Sequence, residues 1–488
     1  LLVTPQANLL VRPFAYDWRL DFRKNAERLR SVVLSLTPNS GDTVDVIAHS
    51  QGGLITRTYF QLHPTDHRIN RTIYLGTPHL GATKSFAILS RLQGLDDMFE
   101  LVPPTINFST AAHLSQNFPA IYEQLPRYPF IILDGNVEPF SDSFIRALSS
   151  RRLSNANLVS QSNLVWDSVL KNENPISVER SFAINGSGQN TLLTLLEGSS
   201  TGCVVPTSDV TGDGTVPFLS SRFLPNTQYF YVSEEHSALP NNNLVGRKIL
   251  EILEGNSPSL EPGFQTQPFS AGSHITGYSC SPVRMRIFDS QGNMSGLDEE
   301  GNLRQQIPNS DFFVFPINEA VLLPADDIFQ VQLQPTDHGT FSLTFDFFNS
   351  ENTFTDSSRF EEVPISINSR GRIFLDPGTT SQILELDVEG DGVVDHIIES
   401  GQPVPVASYG AVLVDVIRTL EIRKGIRTEL LSVVGAALAQ LGRGNKIAAR
   451  NQFRALTLKV NAIMGVHLTT RQAGIILRLA NKAINLLS

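Results

Sequence analysis

Apolar positions along the 488 residues follow three successive rhythms. In the first, Phe22, Ala26, Leu29, Val33 and Leu36 step by four, three, four and three, which is one face of a helix. That helix is expected between a strand near Leu9 to Arg12 and the apolar run Thr43-Val44-Asp45-Val46-Ile47-Ala48. Further strands are predicted from Ile69 to Leu75, near Ser181 to Asn185 and from Gln228 to Val232, so strand and helix alternate as in a parallel α/β sheet. From about 86 to 178 the alternation lapses, while Phe99, Leu101, Phe108, Phe118, Leu125 and Phe130 recur without period. An insertion at that point reads as a cap over a site, with an ordinary packed subdomain as the alternative.

A second rhythm begins after the linker-like stretch Ser257-Pro258-Ser259-Leu260-Glu261-Pro262-Gly263. Ile328 to Leu333 and Thr340 to Phe347 alternate apolar and polar residues, the period of half-buried strands, and turn residues punctuate them. The third is helical. Ala449, Phe453, Leu456, Val460 and Ile463, then Ala473, Ile476, Ala480, Ala483 and Leu487, mark amphipathic helices, with others near Val412 to Ile422 and Ile426 to Leu441 and breaks at Gly442 to Gly444 and Gly465. The fold class expected is therefore multidomain: an α/β unit over 1–258 with a cap at about 86–178, a β-rich, sandwich-like unit over 259–405 and a small helical bundle over 406–488.

Chemistry enters at Ala48-His49-Ser50-Gln51-Gly52-Gly53, which joins a predicted strand to a predicted helix. A serine on so sharp a turn needs small residues two before and two after it; Ala48 and Gly52 meet that demand, with alanine standing where glycine is usual. A serine nucleophile also needs a base and a group that orients the base, and in this arrangement they follow in the order acid, then histidine. Gly212-Asp213-Gly214 offers a carboxylate in a glycine-flanked turn, and His236 lies in the loop after Gln228 to Val232. Asp209, Glu234 and Glu235 are rival acids. The plainer readings are an Asx turn for Asp213 and an exposed loop histidine for His236.

Tyr16-Asp17-Trp18-Arg19, the serine turn, Leu75-Gly76-Thr77-Pro78-His79-Leu80-Gly81 and Gly212-Asp213-Gly214-Thr215-Val216-Pro217 occur together and in one order. In this, roughly residues 10 to 250 resemble the lecithin:cholesterol acyltransferase family of α/β-hydrolases. The resemblance implies acyl-ester substrates of lipid type, Ser50, Asp213 and His236 as catalytic triad, and the Gln51 backbone N–H as one oxyanion donor, with no cofactor required. A second donor is expected from a loop well upstream of Tyr16, yet only fifteen residues precede it and the first glycine is Gly41. The reading is thus of a hydrolase truncated at its N-terminus, weakly active or inactive alone, since loss of one oxyanion donor costs on the order of 10² to 10³ in turnover.

Beyond the hydrolase segment, acids alternate in Asp387-Val388-Glu389-Gly390-Asp391-Gly392-Val393-Val394-Asp395 as in Ca²⁺ loops, although the terminal glutamate position holds Ile398. Asp387, Glu389, Asp391 and Asp395 are candidate ligands of a structural Ca²⁺, against a plain acidic turn. The C-terminal helices resemble the FIMAH module of secreted bacterial enzymes. From residue 406 onward 12 Lys and Arg face 3 Asp and Glu, net +9, so the rest of a chain of net charge −10 carries −19. A basic helical unit of this kind suits an anionic cell-envelope surface, with Arg443, Lys446, Arg450 and Arg454 on one face; a solvated face, or docking on the acidic body, is the other reading. The helices lack interleaved exposed aromatics, which argues against nucleic acid.

No run approaches eighteen uninterrupted apolar residues, so no membrane-spanning helix is indicated. The two cysteines, Cys203 and Cys280, form one bridge or none. The expectation is an extracellular or surface-associated lipid ester hydrolase or acyltransferase, with a deacylase of glycolipid or lipid-anchor esters as a near variant. A cell-surface binding or adhesion protein with a degenerate hydrolase half is the reading from another class.

Overall fold

A computed structural model describes residues 10–89, 114–133, 136–138, 155–172, 180–197, 203–255, 259–280, 282–315, 318–379 and 381–488. Its first sheet runs in the order Val44–His49, Ile69–Leu75, Ser181–Ser187, Gln228–Ser233, Phe264–Gln265; the first four strands are parallel and the last antiparallel. Ser181–Ser187 is buried along its whole length, as a strand covered on both faces must be. The sheet takes its last strand at Phe264–Gln265, beyond the expected unit boundary at 258. At the other end, Leu10 to Arg12 form no strand, contrary to the expectation for Leu9 to Arg12.

The helix Phe22–Leu36 forms where the period placed it, and Phe22, Ala26, Leu29 and Val33 face the core. Asp21 caps it by accepting from the Arg23 N–H, a contribution of about 1 kcal/mol. A second, smaller sheet, ordered Asn136–Glu138, Ile131–Leu133, Gln189–Glu197, Val204–Gly212, ends immediately before Asp213 and so aims the acid-bearing turn. Much of the segment expected as a cap, Phe99, Leu101 and Phe108 included, lies outside the described residues. Of the remainder, Ile121, Tyr122, Leu125 and Phe130 are buried in a core shared with Phe86 and Leu192.

Two antiparallel sheets follow. One runs Asp311–Val314, Asn318–Pro324, His274–Cys280, Gly339–Phe348, Phe354–Ile365, and the other Leu303–Gln305, Met294–Leu297, Val283–Phe288, Phe329–Pro335, Arg370–Leu375, Ile383–Asp387, His396–Glu399. The period-two residues Phe329, Val331 and Leu333 of one sheet and Phe341, Leu343 and Phe345 of the other share a core, the arrangement of facing sheets. The outer face of the first sheet is covered too: Phe313, Phe315, Ala320 and Leu322 pack with Phe86, Ile121 and Phe130 of the α/β part. A disulfide between Cys203 and Cys280 joins the two parts, with Cα atoms 5.9 Å apart.

The helices Val406–Thr419, Lys424–Gly442, Lys446–Ile463 and Thr470–Leu486 close the chain, the last behind a capping box of Thr469 and Gln472. The boundary expected at 405 does not divide the core, because Val412, Leu413, Val416 and Ile417 belong to the same cluster as the sheet interiors. Arg418 pairs with Glu389, Arg471 with Asp337 and Lys482 with Glu362. These cations dock on the acidic β-rich part, the alternative to an envelope surface. Arg443, Lys446 and Arg454 are exposed. Among the described residues no helix is long and apolar enough to cross a membrane.

Candidate active site

Ser50 sits between the strand Val44–His49 and the helix Gln51–Leu62 with φ 53° and ψ −126°, a backbone conformation rare outside glycine and held only where its surroundings enforce it. Those surroundings are specific. The Ser50 N–H donates to the Leu75 carbonyl of the neighbouring strand at 2.9 Å. A Cβ on Gly53 would stand 2.0 Å from Thr77 Oγ1, so the helix can lie against the Gly76-Thr77-Pro78 turn only without a side chain there. A Cβ on Gly52 would come no nearer than 3.9 Å to that of Ala48, which shows how alanine is accommodated where glycine is usual.

His236 Nε2 lies 2.9 Å from Ser50 Oγ, and His236 Nδ1 lies 2.8 Å from Asp213 Oδ2. The Asp213 turn supplies the rest: Oδ1 accepts the Thr215 and Val216 N–H groups at 3.0 and 2.7 Å, leaving Oδ2 for the imidazole. The His236 N–H donates to the Asp213 carbonyl at 2.8 Å, which ties the base loop to the acid turn. The rivals are engaged elsewhere. Asp209 accepts from its own turn and from the Phe218 N–H, and Glu234 accepts from the Glu235 N–H and from Asn242. Gln51 opens the helix, where the first N–H groups lack intrahelical acceptors, and its side chain donates to the Trp18 carbonyl at 2.8 Å.

Three further residues shape the site that sequence reasoning did not single out. Gly76, at φ 53°, has space for no Cβ, which would come to 2.9 Å from Asp213 Oδ2 and 3.0 Å from His236 Nδ1. His49 donates from Nε2 to the His236 carbonyl at 3.0 Å; burial, with repulsion from His236, pulls its pKa down to about 4 and keeps it a neutral donor. Thr191 Oγ1 accepts the Gly214 N–H at 2.8 Å and steadies the acid turn. Gly76 and His49 stand inside the motifs and Thr191 in none, and the roles of all three depend on which strands become neighbours. His79, inside a recognised motif, is turned away: its ring is buried edge-on to Tyr74, and burial holds its pKa well below the usual range.

The cavity over the triad has a volume of about 320 Å³. Tyr16, Trp18, Pro78 and Val216 give it an apolar side, and residues of the β-rich part complete it. The Asp387 to Asp395 turn lies elsewhere and does not gather its acids. Asp387 accepts the Gly390, Asp391 and Gly392 N–H groups, Asp395 accepts from Val388, Asp391 from Val393, and Glu389 pairs with Arg418. Among the described residues no group of three or more His, Cys, Asp or Glu stands where it could hold a metal ion.

Comparison with known proteins agrees with the motif order. The model of the lecithin:cholesterol acyltransferase family matches residues 5–243, the segment that carries Ser50, Asp213 and His236. Among solved structures the chain is similar to the Bacillus licheniformis lipase BlEst2 in its propeptide form, at 13% identity over 73% of this chain and 85% of that one, with a TM-score of 0.29. The mature form of that lipase gives 17% identity over 48% and 75%, TM-score 0.25. Phospholipase PlaB from Legionella pneumophila, in complex with thio-NAD, gives 10% over 67% and 76%, TM-score 0.20. No curated protein matches. Residues 5–243 thus match the lecithin:cholesterol acyltransferase family, and the match supports the general character of a lipid ester hydrolase or acyltransferase.

Proposed function

We propose that this protein is a serine-dependent hydrolase or O-acyltransferase of lipid acyl esters. The observation that carries the reading is the unbroken hydrogen-bonded relay from Ser50 Oγ through His236 to Asp213, at 2.9 and 2.8 Å. Ser50 Oγ attacks the acyl carbonyl while His236 Nε2 takes its proton, and Asp213 stabilises the imidazolium that forms. The Gln51 N–H faces the developing oxyanion. His236 then protonates the leaving alcohol, which departs as the acyl-serine forms. Water or an acceptor alcohol, deprotonated by the same histidine, attacks the acyl-serine and releases Ser50.

The apolar side of the cavity suits an acyl chain, and a cavity of this size holds part of a lipid rather than all of it. The Cys203–Cys280 disulfide favours an oxidising, extracellular or surface location; the intact mass of protein isolated without reductant checks it, because the bridge removes two hydrogens. Fluorophosphonate treatment followed by peptide mapping tests the chemistry. Stoichiometric labelling of Ser50, lost in Ser50→Ala and in His236→Ala, is the expected result. A protein that folds but does not label overturns the reading.

A further inference from the structure

One wall of the active-site cavity belongs to the β-rich part. Asn309, Ser310 and Asp311, at the start of the strand Asp311–Val314, line the same cavity as Ser50 and His236. This wall is built in. Lys84 Nζ and Asp311 Oδ1 form an ion pair at 2.9 Å with side chains only 2% and 6% exposed. Removing one member of such a pair leaves an uncompensated buried charge. Asn190 donates to the Asn309 carbonyl at 3.4 Å, and the Ser310 hydroxyl donates to Ile307 at 2.8 Å. Asn309 itself is held at φ 56°.

Two carboxamides of the cavity lining are unused, Asn309 on this wall and Gln189 at the start of the strand Gln189–Glu197 of the α/β part. The side chains of Gln189 and Asn309 line the cavity and make no hydrogen bond to any described residue. By contrast, Gln124 donates to Gln51 and to the Ala120 carbonyl, and Asn190 is engaged with Asn309 and Ser208. A free carboxamide both donates and accepts, as a hydroxyl does. The cavity lining therefore offers free carboxamides as well as the apolar Tyr16, Trp18, Pro78 and Val216. Among the described lining residues the only lysine or arginine is Lys84, already paired with Asp311. Free carboxamides without an unpaired cation suit neutral hydroxyl groups better than a phosphate.

Resting on the hydrolase reading above, we propose that Gln189 and Asn309 bind the alcohol part of the substrate, and that this part is a neutral polyol of glycerol or sugar type. The β-rich part is then a specificity element of the active site.

The test compares three esters of one fatty acid: methyl, glyceryl and glycerol-phosphate, with a sugar ester to separate the two polyol sources. Fluorophosphonate titration of Ser50 fixes the active fraction of every preparation. The wild type should favour the glyceryl or sugar ester over the methyl ester in kcat/KM by about tenfold or more, and should not favour the glycerol-phosphate ester over the glyceryl one. Asn309→Gly keeps the left-handed backbone while removing the carboxamide; with Gln189→Ala it should lower the polyol-to-methyl ratio about tenfold, from two hydrogen bonds of ordinary strength. A ratio that stays put in both variants, or a preference for the glycerol-phosphate ester, overturns the proposal while the triad reading stands. A wild type that neither labels at Ser50 nor cleaves the methyl ester overturns both.

Discussion

Two acidic, glycine-rich turns in this chain look alike as sequence and differ as chemistry. Gly212-Asp213-Gly214 and Asp387-Val388-Glu389-Gly390-Asp391-Gly392 each fold back so that an aspartate accepts backbone N–H groups of its own turn. In the first, Asp213 gives one oxygen to Thr215 and Val216 and keeps the other for His236. In the second, Asp387 gives both oxygens to Gly390, Asp391 and Gly392. An oxygen left over by the turn is the resource from which a site is made. Whether one is left over depends on an element far away in sequence, here the loop after Gln228–Ser233.

The same substitution should act very differently in the two turns. Asp213→Asn should lower kcat by roughly 10⁴, because an amide at that position favours the wrong imidazole tautomer; Ser50→Ala should lower it by at least as much. Both variants should keep their cooperative unfolding. Steady-state kinetics with a chromogenic short-chain ester, beside thermal melts, checks this, and an Asp213→Asn enzyme of near-normal turnover would demote Asp213 to a structural turn residue.

A third buried carboxyl sharpens the point. Glu123 accepts the Phe22 N–H through Oε2 at 2.8 Å, while Oε1 has no partner. Here an oxygen is left over with no histidine to meet it, and burial, with the nearby Asp21 charge, pushes the pKa up to about 8. The folded state therefore holds a proton that the unfolded chain releases near 4.5. The stability this proton confers is complete below pH 4.5 and is lost as the pH rises towards 8. Glu123→Gln, neutral throughout, should gain on the wild type by about 4 kcal/mol between pH 5 and pH 9, taking 1.36 kcal/mol per unit. Urea unfolding at the two pH values measures it; parallel pH profiles for the two proteins would mean that Glu123 is ionised in the fold.

These cases also show how far the sequence could be read. Periodicity located Phe22–Leu36 and the strands Phe329–Pro335 and Gly339–Phe348 because each buries one regular face. The hydrogen-bonded line of Ser50, His236 and Asp213 was legible because its motifs are local and their order is fixed by the topology of the sheet. What escaped is what two distant elements make together: His49 on the His236 carbonyl, Lys84 on Asp311, and the continuous core joining sheets to C-terminal helices. The acids of 387–395 meet the same limit, since spacing reports which residues are close and not which oxygens remain unbonded.

Gly76 tests how tightly the productive turn is fitted. Alanine there would press its Cβ on both members of the Asp213–His236 pair and strain a positive φ. A displacement on the order of 1 Å costs about 10²-fold in rate, so Gly76→Ala should lower kcat by that factor with a smaller change in KM. Unaltered kcat would show that the pair can shift without losing its line to Ser50.

The smallest effect is expected in the second turn. Asp387→Asn keeps one carbonyl oxygen for the backbone but sets an amide N–H₂ against a backbone donor, at a cost of about 1 to 2 kcal/mol. The melting temperature should fall by a few degrees, while kcat on the short-chain ester stays at the wild-type value. Calcium and EDTA should leave the wild-type melting temperature where it is, because the Asp387 oxygens are already committed to N–H groups. A calcium-dependent rise, absent in Asp387→Asn, would mean that an ion draws those oxygens off the backbone, and that this turn too holds its carboxylate for a partner.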